Sequence, residues 1–210
     1  MTVIHRLGHN IVKKVDKKRY EIELDDDLMK SINIKDFSNF ELSSQNSFYF
    51  TASSVQTLAQ YTSHTRYMKF DNCLKMLQDL GNQLVNLEKN GKTIAFYALD
   101  DIIVISDNLF IFMNSNKIFE IDNDNIVINI PLQTKKGFLS PELLGKNTLP
   151  IKVNFKAAYY SLGSLLVYCL FKKSITKEHT ELTPIIFTNL YYFLKRCLQE
   201  NPKKRSLLYI

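Results

Sequence analysis

Residues 157–171, AAYYSLGSLLVYCLF, constrain this chain more than any other stretch. They carry no charge and would be apolar on nearly every side of a helix. A bilayer span needs roughly 20 such residues, so this run is short for a membrane helix. A helix with no solvent face has to be buried inside protein. The chain must therefore fold around it. With 210 residues, 45% of them hydrophobic and 23% charged, there is enough material for one large domain or two small lobes, and too much apolar surface for disorder.

Elsewhere the periodicity separates a β-rich beginning from a helical remainder. RYEIEL (19–24) alternates with period two, as a half-buried strand does. IVKKVDKKR before it reads as a strand and a turn, and SFYFTA (47–52) as a further strand. DDDLMKSI (25–32) opens with carboxylates, which favour a helix N-terminus. From residue 70, Leu74, Leu77, Leu80, Leu84 and Leu87 recur every three or four residues. That spacing predicts a long amphipathic helix, with Asp71 as N-cap and Gly91 as stop. IIVIS and LFIFM predict two short strands joined by a turn at 106–108, and KIFEI and IVINI predict two more. A loop, PLQTKKGFLSPELL, follows. After the buried helix, a last helix is expected to start at TPII, with Thr183 as N-cap and Pro184 in first place, and to end before Pro202. The expected organisation is α+β, with a reduced β-rich part over 1–52 and a larger, mainly helical part over 53–210.

The net charge of +6 is carried almost wholly by lysine. Arginine is the better reader of phosphates and base edges, so this surface suits an acidic protein partner more than sequence-specific nucleic acid. Cys73, Cys169 and Cys197 are far apart and odd in number, with no C-x-x-C. This implies an intracellular, cytoplasmic setting. The first residues, MTVIHRLGHNIVKK, contain no apolar core of signal-peptide length. His5 and His9 stand four apart, but no third metal ligand accompanies them.

Three stretches in order carry a resemblance: FLSPELL (138–144), AYYSLGSLLVYCLF (158–171) and FLKRCLQENPKKR (193–205). They resemble, in the protein kinase family, the A-P-E motif closing the activation segment, the buried central helix with its S-L-G, and the late helix ending in a D-P-x-x-R-like turn. FDNCLKMLQDLGNQLVNLEKNG is similar to the long helix before the catalytic loop, and FYFTASSVQTLAQY (48–61) to the last strand of the smaller lobe and the hinge. The resemblance covers roughly residues 48–205 and implies a two-lobed fold. It also implies a buried ion pair between Glu142 of the A-P-E-like motif and Arg205 of the late turn.

The same resemblance implies that catalysis is lost. Phosphoryl transfer needs a glycine-rich loop, a strand lysine paired with a helix glutamate, a catalytic-loop aspartate and two metal ligands. Gly8 is the only glycine before Gly81. Lys13 or Lys14 is the nearest candidate for the strand lysine, and no helix glutamate can be assigned. Laid against IAFYALDDIIVIS, the H-R-D positions fall on Phe96, Tyr97 and Ala98, and the metal-binding asparagine on Ile103. The D-F-G position falls near Met113, Asn114 and Ser115. The helix aspartate that anchors the loop is replaced by Ala158. None of these residues offers magnesium an ionised oxygen.

The resulting expectation is a degenerate serine/threonine kinase homologue, a pseudokinase with no cofactor or metal, whose partner is an active kinase or another acidic protein. The shortening and the residue usage resemble kinase-like genes of large DNA viruses. Two other readings stay open. One is a divergent kinase using ATP, with Asp100 or Asp101 rescuing the lost base. The other is a basic nucleic-acid-binding module built on Lys13, Lys14, Lys17 and Lys18.

Overall fold

The computed structural model describes residues 1–63, 67–132, 137–176 and 178–208. Part of the loop expected at 131–144, residues 133–136, lies outside them. The fold is α+β and is built from small antiparallel sheets.

Strands β1 (Thr2–Leu7) and β2 (Asn10–Lys14) form a hairpin across Gly8 and His9. Gly8 has φ +67°, a conformation that L side chains rarely take. β3 (Arg19–Glu23) follows, with Tyr20 and Ile22 in the core. Helix α1 (Asp26–Ser31) starts where the run of carboxylates predicts, and the Asp25 Oδ1 accepts from Leu28 N at 3.0 Å. β4 (Glu41–Ser44) and β5 (Ser47–Thr51) complete a five-stranded sheet in the order β1-β2-β3-β5-β4.

β6 (Val55–Thr57) and α2 (Leu58–Ser63) lead to the long helix α3 (Phe70–Lys89). Its leucine stripe is buried, but Lys69 rather than Asp71 stands at its cap. The helix begins a residue earlier than expected, which moves Asp71 inside the first turn. Its charge still favours the positive helix end there. Gly91, at φ +73°, follows the C-cap Asn90. β7 (Lys92–Ile94) pairs with β10 (Ile118–Glu120). Between them, β8 (Ile102–Ile105) and β9 (Leu109–Phe112) form a hairpin that continues β6. β11 (Asn125–Ile128) pairs with β12 (Ile151–Asn154).

Helix α4 (Ala157–Phe171) has thirteen buried residues, as its uniformly apolar sequence requires. The last helix departs from expectation. Residues 180–185 form a 3-10 turn with Pro184 inside it, and α5 (Asn189–Cys197) starts only after Thr188, whose hydroxyl accepts from Tyr191 N at 3.1 Å. The interruption is at Phe187, whose φ of +68° cannot continue a right-handed helix. Pro202 opens a further 3-10 turn beyond α5.

One apolar cluster runs through both halves of the chain. It joins Ile22, Leu28, Phe48 and Phe50 to Leu80, Leu84, Leu165 and Leu166. A buried polar seam locks the same junction. The Gln83 amide of α3 donates to the Ser31 hydroxyl (3.1 Å) and to Phe112 O (2.9 Å), and accepts from Phe112 N (2.9 Å). Among the described residues no helix is long and apolar enough to cross a membrane.

Candidate functional site

The segment between β7 and β8 holds the positions that the resemblance assigns to a catalytic loop. Phe96, Tyr97 and Ala98 are all buried. The Tyr97 ring stands edge-on to Phe112, with centroids 5.5 Å apart. Ile103 lies inside β8, paired with Thr57 on one side and Ile111 on the other, and is fully buried. Phe96, Ala98 and Ile103 present only apolar side chains, and the Tyr97 hydroxyl is buried without a hydrogen-bond partner among the described residues.

Asp100 and Asp101 form a 3-10 turn with Leu99, and the turn sends them in different directions. Asp100 is exposed, while Asp101 is 3% exposed. The Asp101 Oδ2 accepts from Lys117 Nζ at 2.5 Å and from Ala98 N at 3.0 Å, and Oδ1 accepts from Asn114 Nδ2 at 2.7 Å. Its backbone carbonyl accepts from Met113 N at 2.9 Å. Lys117 is as buried as its partner, and its ammonium lies 4.2 Å from the centre of the Phe96 ring. The β7–β10 pairing delivers Lys117 to this place, since Ala95 N bonds Lys117 O at 2.9 Å just beyond that ladder. The Asp101 carboxylate is thus neutralised by a cation and held by two further donors. A carboxylate in that condition is a structural tie, not a free base or an open metal ligand.

The anchoring of this loop also differs from the expected pattern. Ala158 is buried without a polar role, and the hydroxyl of Ser161, one helical turn on, accepts from Tyr97 N at 2.8 Å. Phe138 N in turn donates to Tyr97 O at 2.9 Å. The signal for Ser161 was a serine hydroxyl in a buried, largely apolar helix, where it must find a partner, a signal it shares with Ser164.

The hairpin tip closes the other side. An added Cβ on Gly8 would come within 3.3 Å of Ser115 Oγ and 3.4 Å of Asn116 Nδ2. Asn10, fully buried beside it, donates to Met113 O (2.9 Å) and Ser115 Oγ (3.0 Å) while its Oδ1 accepts from Asp25 N (2.7 Å). The β1–β2 tip is therefore stitched directly to residues 113–116. Residues 114–120 line an opening of about 670 Å³ with Asn129, Ile130 and Pro131, and a separate shallow one of about 420 Å³ is lined by Ile4, His5, Lys14, Tyr20, Val55, Gln56 and Gln60. The lining of the shallow one contains no carboxylate.

Lys13 sits on β2 with its ammonium between Glu21 and Glu23, and that pairing holds its pKa above the usual lysine value. β3 itself carries no lysine. Lys14, Lys17 and Lys18 are exposed. His5 and His9 occupy the hairpin, not a helix face, and burial lowers the pKa of His5. Among the described residues no group of three His, Cys, Asp or Glu could hold a metal ion. All three cysteines are buried, and burial pushes their thiols up, that of Cys169 to about 12, so none is a ready nucleophile.

The sequence matches no protein-family model and no curated protein.

Away from this loop, Glu142 and Arg205 meet in a two-pronged ion pair, Nη1 to Oε1 at 2.5 Å and Nη2 to Oε2 at 2.8 Å. Arg205 is 1% exposed and also donates to the carbonyls of Gln199, Glu200 and Lys156. Its guanidinium lies 5.1 Å from the Tyr160 ring centre. The fork, its carbonyl partners and the ring use the guanidinium on every side, which lysine could not do. The pair ties the segment around residue 142 to the end of the chain beyond α5.

Proposed function

We propose that this chain is a catalytically inactive protein-kinase-like domain, a pseudokinase, which works by binding another protein as a scaffold or allosteric regulator. The single observation that carries this reading is the direct contact between the β1–β2 tip and residues 113–116. In the resemblance, those two segments would stand on either side of a nucleotide's phosphates, one as the glycine-rich loop and the other as the D-F-G metal ligand. Here they hydrogen-bond to each other. Further support comes from the packed side chains at Phe96, Tyr97, Ala98 and Ile103, and from the neutralised carboxylate of Asp101. The Glu142–Arg205 pair lies where the resemblance expects a structural tie. A lobe that kept its tie and its core while losing its acids retains a rigid surface for recognition.

The reading is tested by phosphoryl transfer from radiolabelled ATP with magnesium or manganese, to the chain itself and to a mixed protein substrate. The expected result is no incorporation above a heat-denatured control. Incorporation that disappears in Asp100→Ala would overturn it, because Asp100 is the exposed carboxylate of this loop.

A further inference from the structure

The exposed side of α3 carries an acid at one end and a base at the other. Asp71 and Lys89 are both exposed, and none of the described residues forms an ion pair with either. Five helical turns separate them, so they point the same way from positions about 27 Å apart along the axis. Gln78, Asn82 and Val85 stand between them on that side, all exposed and uncharged. Lys75, beside this line, has its ammonium on Asp79 at 2.5 Å. An acid in the first turn and a base in the last also suit the helix dipole, but the dipole does not call for an uncharged middle. The outer side of a surface helix is usually charged, whereas the centres of protein interfaces are depleted in Lys, Glu and Asp.

The flank of the same stripe is open. α3 shares a groove of about 610 Å³ with Phe193 of α5 and with Leu207, and Leu74, Leu77 and Val85 make its wall apolar. Gly81 lies in that wall, halfway along the helix. Glycine weakens a helix relative to alanine, and the packing within the chain does not demand it. The nearest atom that an added Cβ would meet is Leu77 Cδ1, at 4.0 Å. The missing side chain leaves room for an approaching surface.

We propose that this face is a self-association surface, on which α3 of a second copy lies antiparallel across a two-fold axis near residue 80. The charge pattern is its own complement. With that axis, Asp71 of each copy meets Lys89 of the other, Gln78 meets Asn82, and Val85 meets the aliphatic stem of Lys75. A two-fold contact uses one patch twice, so both ion pairs form together. A parallel arrangement would set Asp71 against Asp71 and Lys89 against Lys89, which like charges oppose. The match of one end of the stripe to the other selects a second copy over an unrelated protein. The proposal is independent of whether the chain is an enzyme.

The test is sedimentation equilibrium of the full chain, of Asp71→Lys, of Lys89→Asp, and of an equal mixture of these two variants. Both substituted positions are exposed, and melting followed by circular dichroism checks that each variant folds. The wild-type mass should rise with concentration from the 24.5 kDa of one chain towards twice that value. Each variant alone brings like charges together and should associate at least tenfold more weakly. In the mixture every contact between unlike chains again pairs opposite charges, so dimers should return to wild-type strength, and added salt should weaken them. A wild-type chain that stays monomeric up to millimolar concentration would overturn the proposal and leave the face to another protein or to solvent. Variants that dimerise as well as the wild type would put the contact on another face and overturn it too. Weakened variants that do not recover on mixing would refute the antiparallel pairing of Asp71 with Lys89.

Discussion

Replacing Lys117 by methionine separates a structural role for Asp101 from a catalytic one. The side chains of Lys117 and Asp101 are 3% and 4% exposed and 2.5 Å apart. Methionine keeps much of the aliphatic stem but removes the charge, and Asp101 is left as a buried anion with the Ala98 N–H and the Asn114 amide as its donors. Stranding one partner of a buried pair costs about 3–5 kcal/mol. For a chain of this size each kcal/mol moves the melting temperature by roughly 2–4 °C, so a fall of about 6–20 °C is expected. Asp101→Asn removes the carboxylate that the buried Lys117 ammonium contacts and should also destabilise. The double variant removes both charges and should recover at least about 2 kcal/mol relative to the sum of the single changes. Urea denaturation followed by circular dichroism at pH 7 measures all three. If Lys117→Met costs less than about 1 kcal/mol, or if the two losses simply add, the pair does not hold the loop and Asp101 would have to be reconsidered as a working carboxylate.

Other expectations follow from the same geometry. Arg205→Lys should lose about 2–3 kcal/mol, measured by the same denaturation, because an ammonium cannot replace the fork on Glu142 and the three carbonyl contacts together. Gly163→Ala should destabilise by about 1–3 kcal/mol, since the new Cβ would lie 3.1–3.2 Å from Leu198 and Cys197 where α4 meets the end of α5. Burial raises the Glu88 carboxyl from 4.5 to about 7, although Tyr159 donates to it at 2.9 Å. A carboxyl whose folded pKa lies above its unfolded one binds its proton more tightly when folded. Stability should therefore fall as pH rises from about 4.5 to about 7, and Glu88→Gln should flatten that part of a melting-temperature profile.

The sequence made some of this legible. The unbroken apolar run predicted α4 as a buried helix, and the carboxylates at 25–27 marked the start of α1, because both signals are local. The pairing of Glu142 with Arg205 was accessible through motif order alone. Other features depend on contacts that no local pattern announces. Lys117 reaches Asp101 across 16 residues only because β10 folds back on β7. Asn10 reaches Met113 across 103 residues. The true start of α5 was hidden because a positive φ at a phenylalanine runs against residue preference, so the sequence pointed to Thr183 and Pro184 instead.

We propose that the contact between the β1–β2 tip and residues 113–116 takes the place that a nucleotide's phosphates would occupy in the resemblance. Isothermal titration calorimetry with ATP and magnesium tests it most directly. The account predicts no saturable heat at nucleotide concentrations up to the millimolar range. A magnesium-dependent isotherm with a Kd below about 100 µM, which corresponds to more than about 5 kcal/mol of binding free energy, would contradict it.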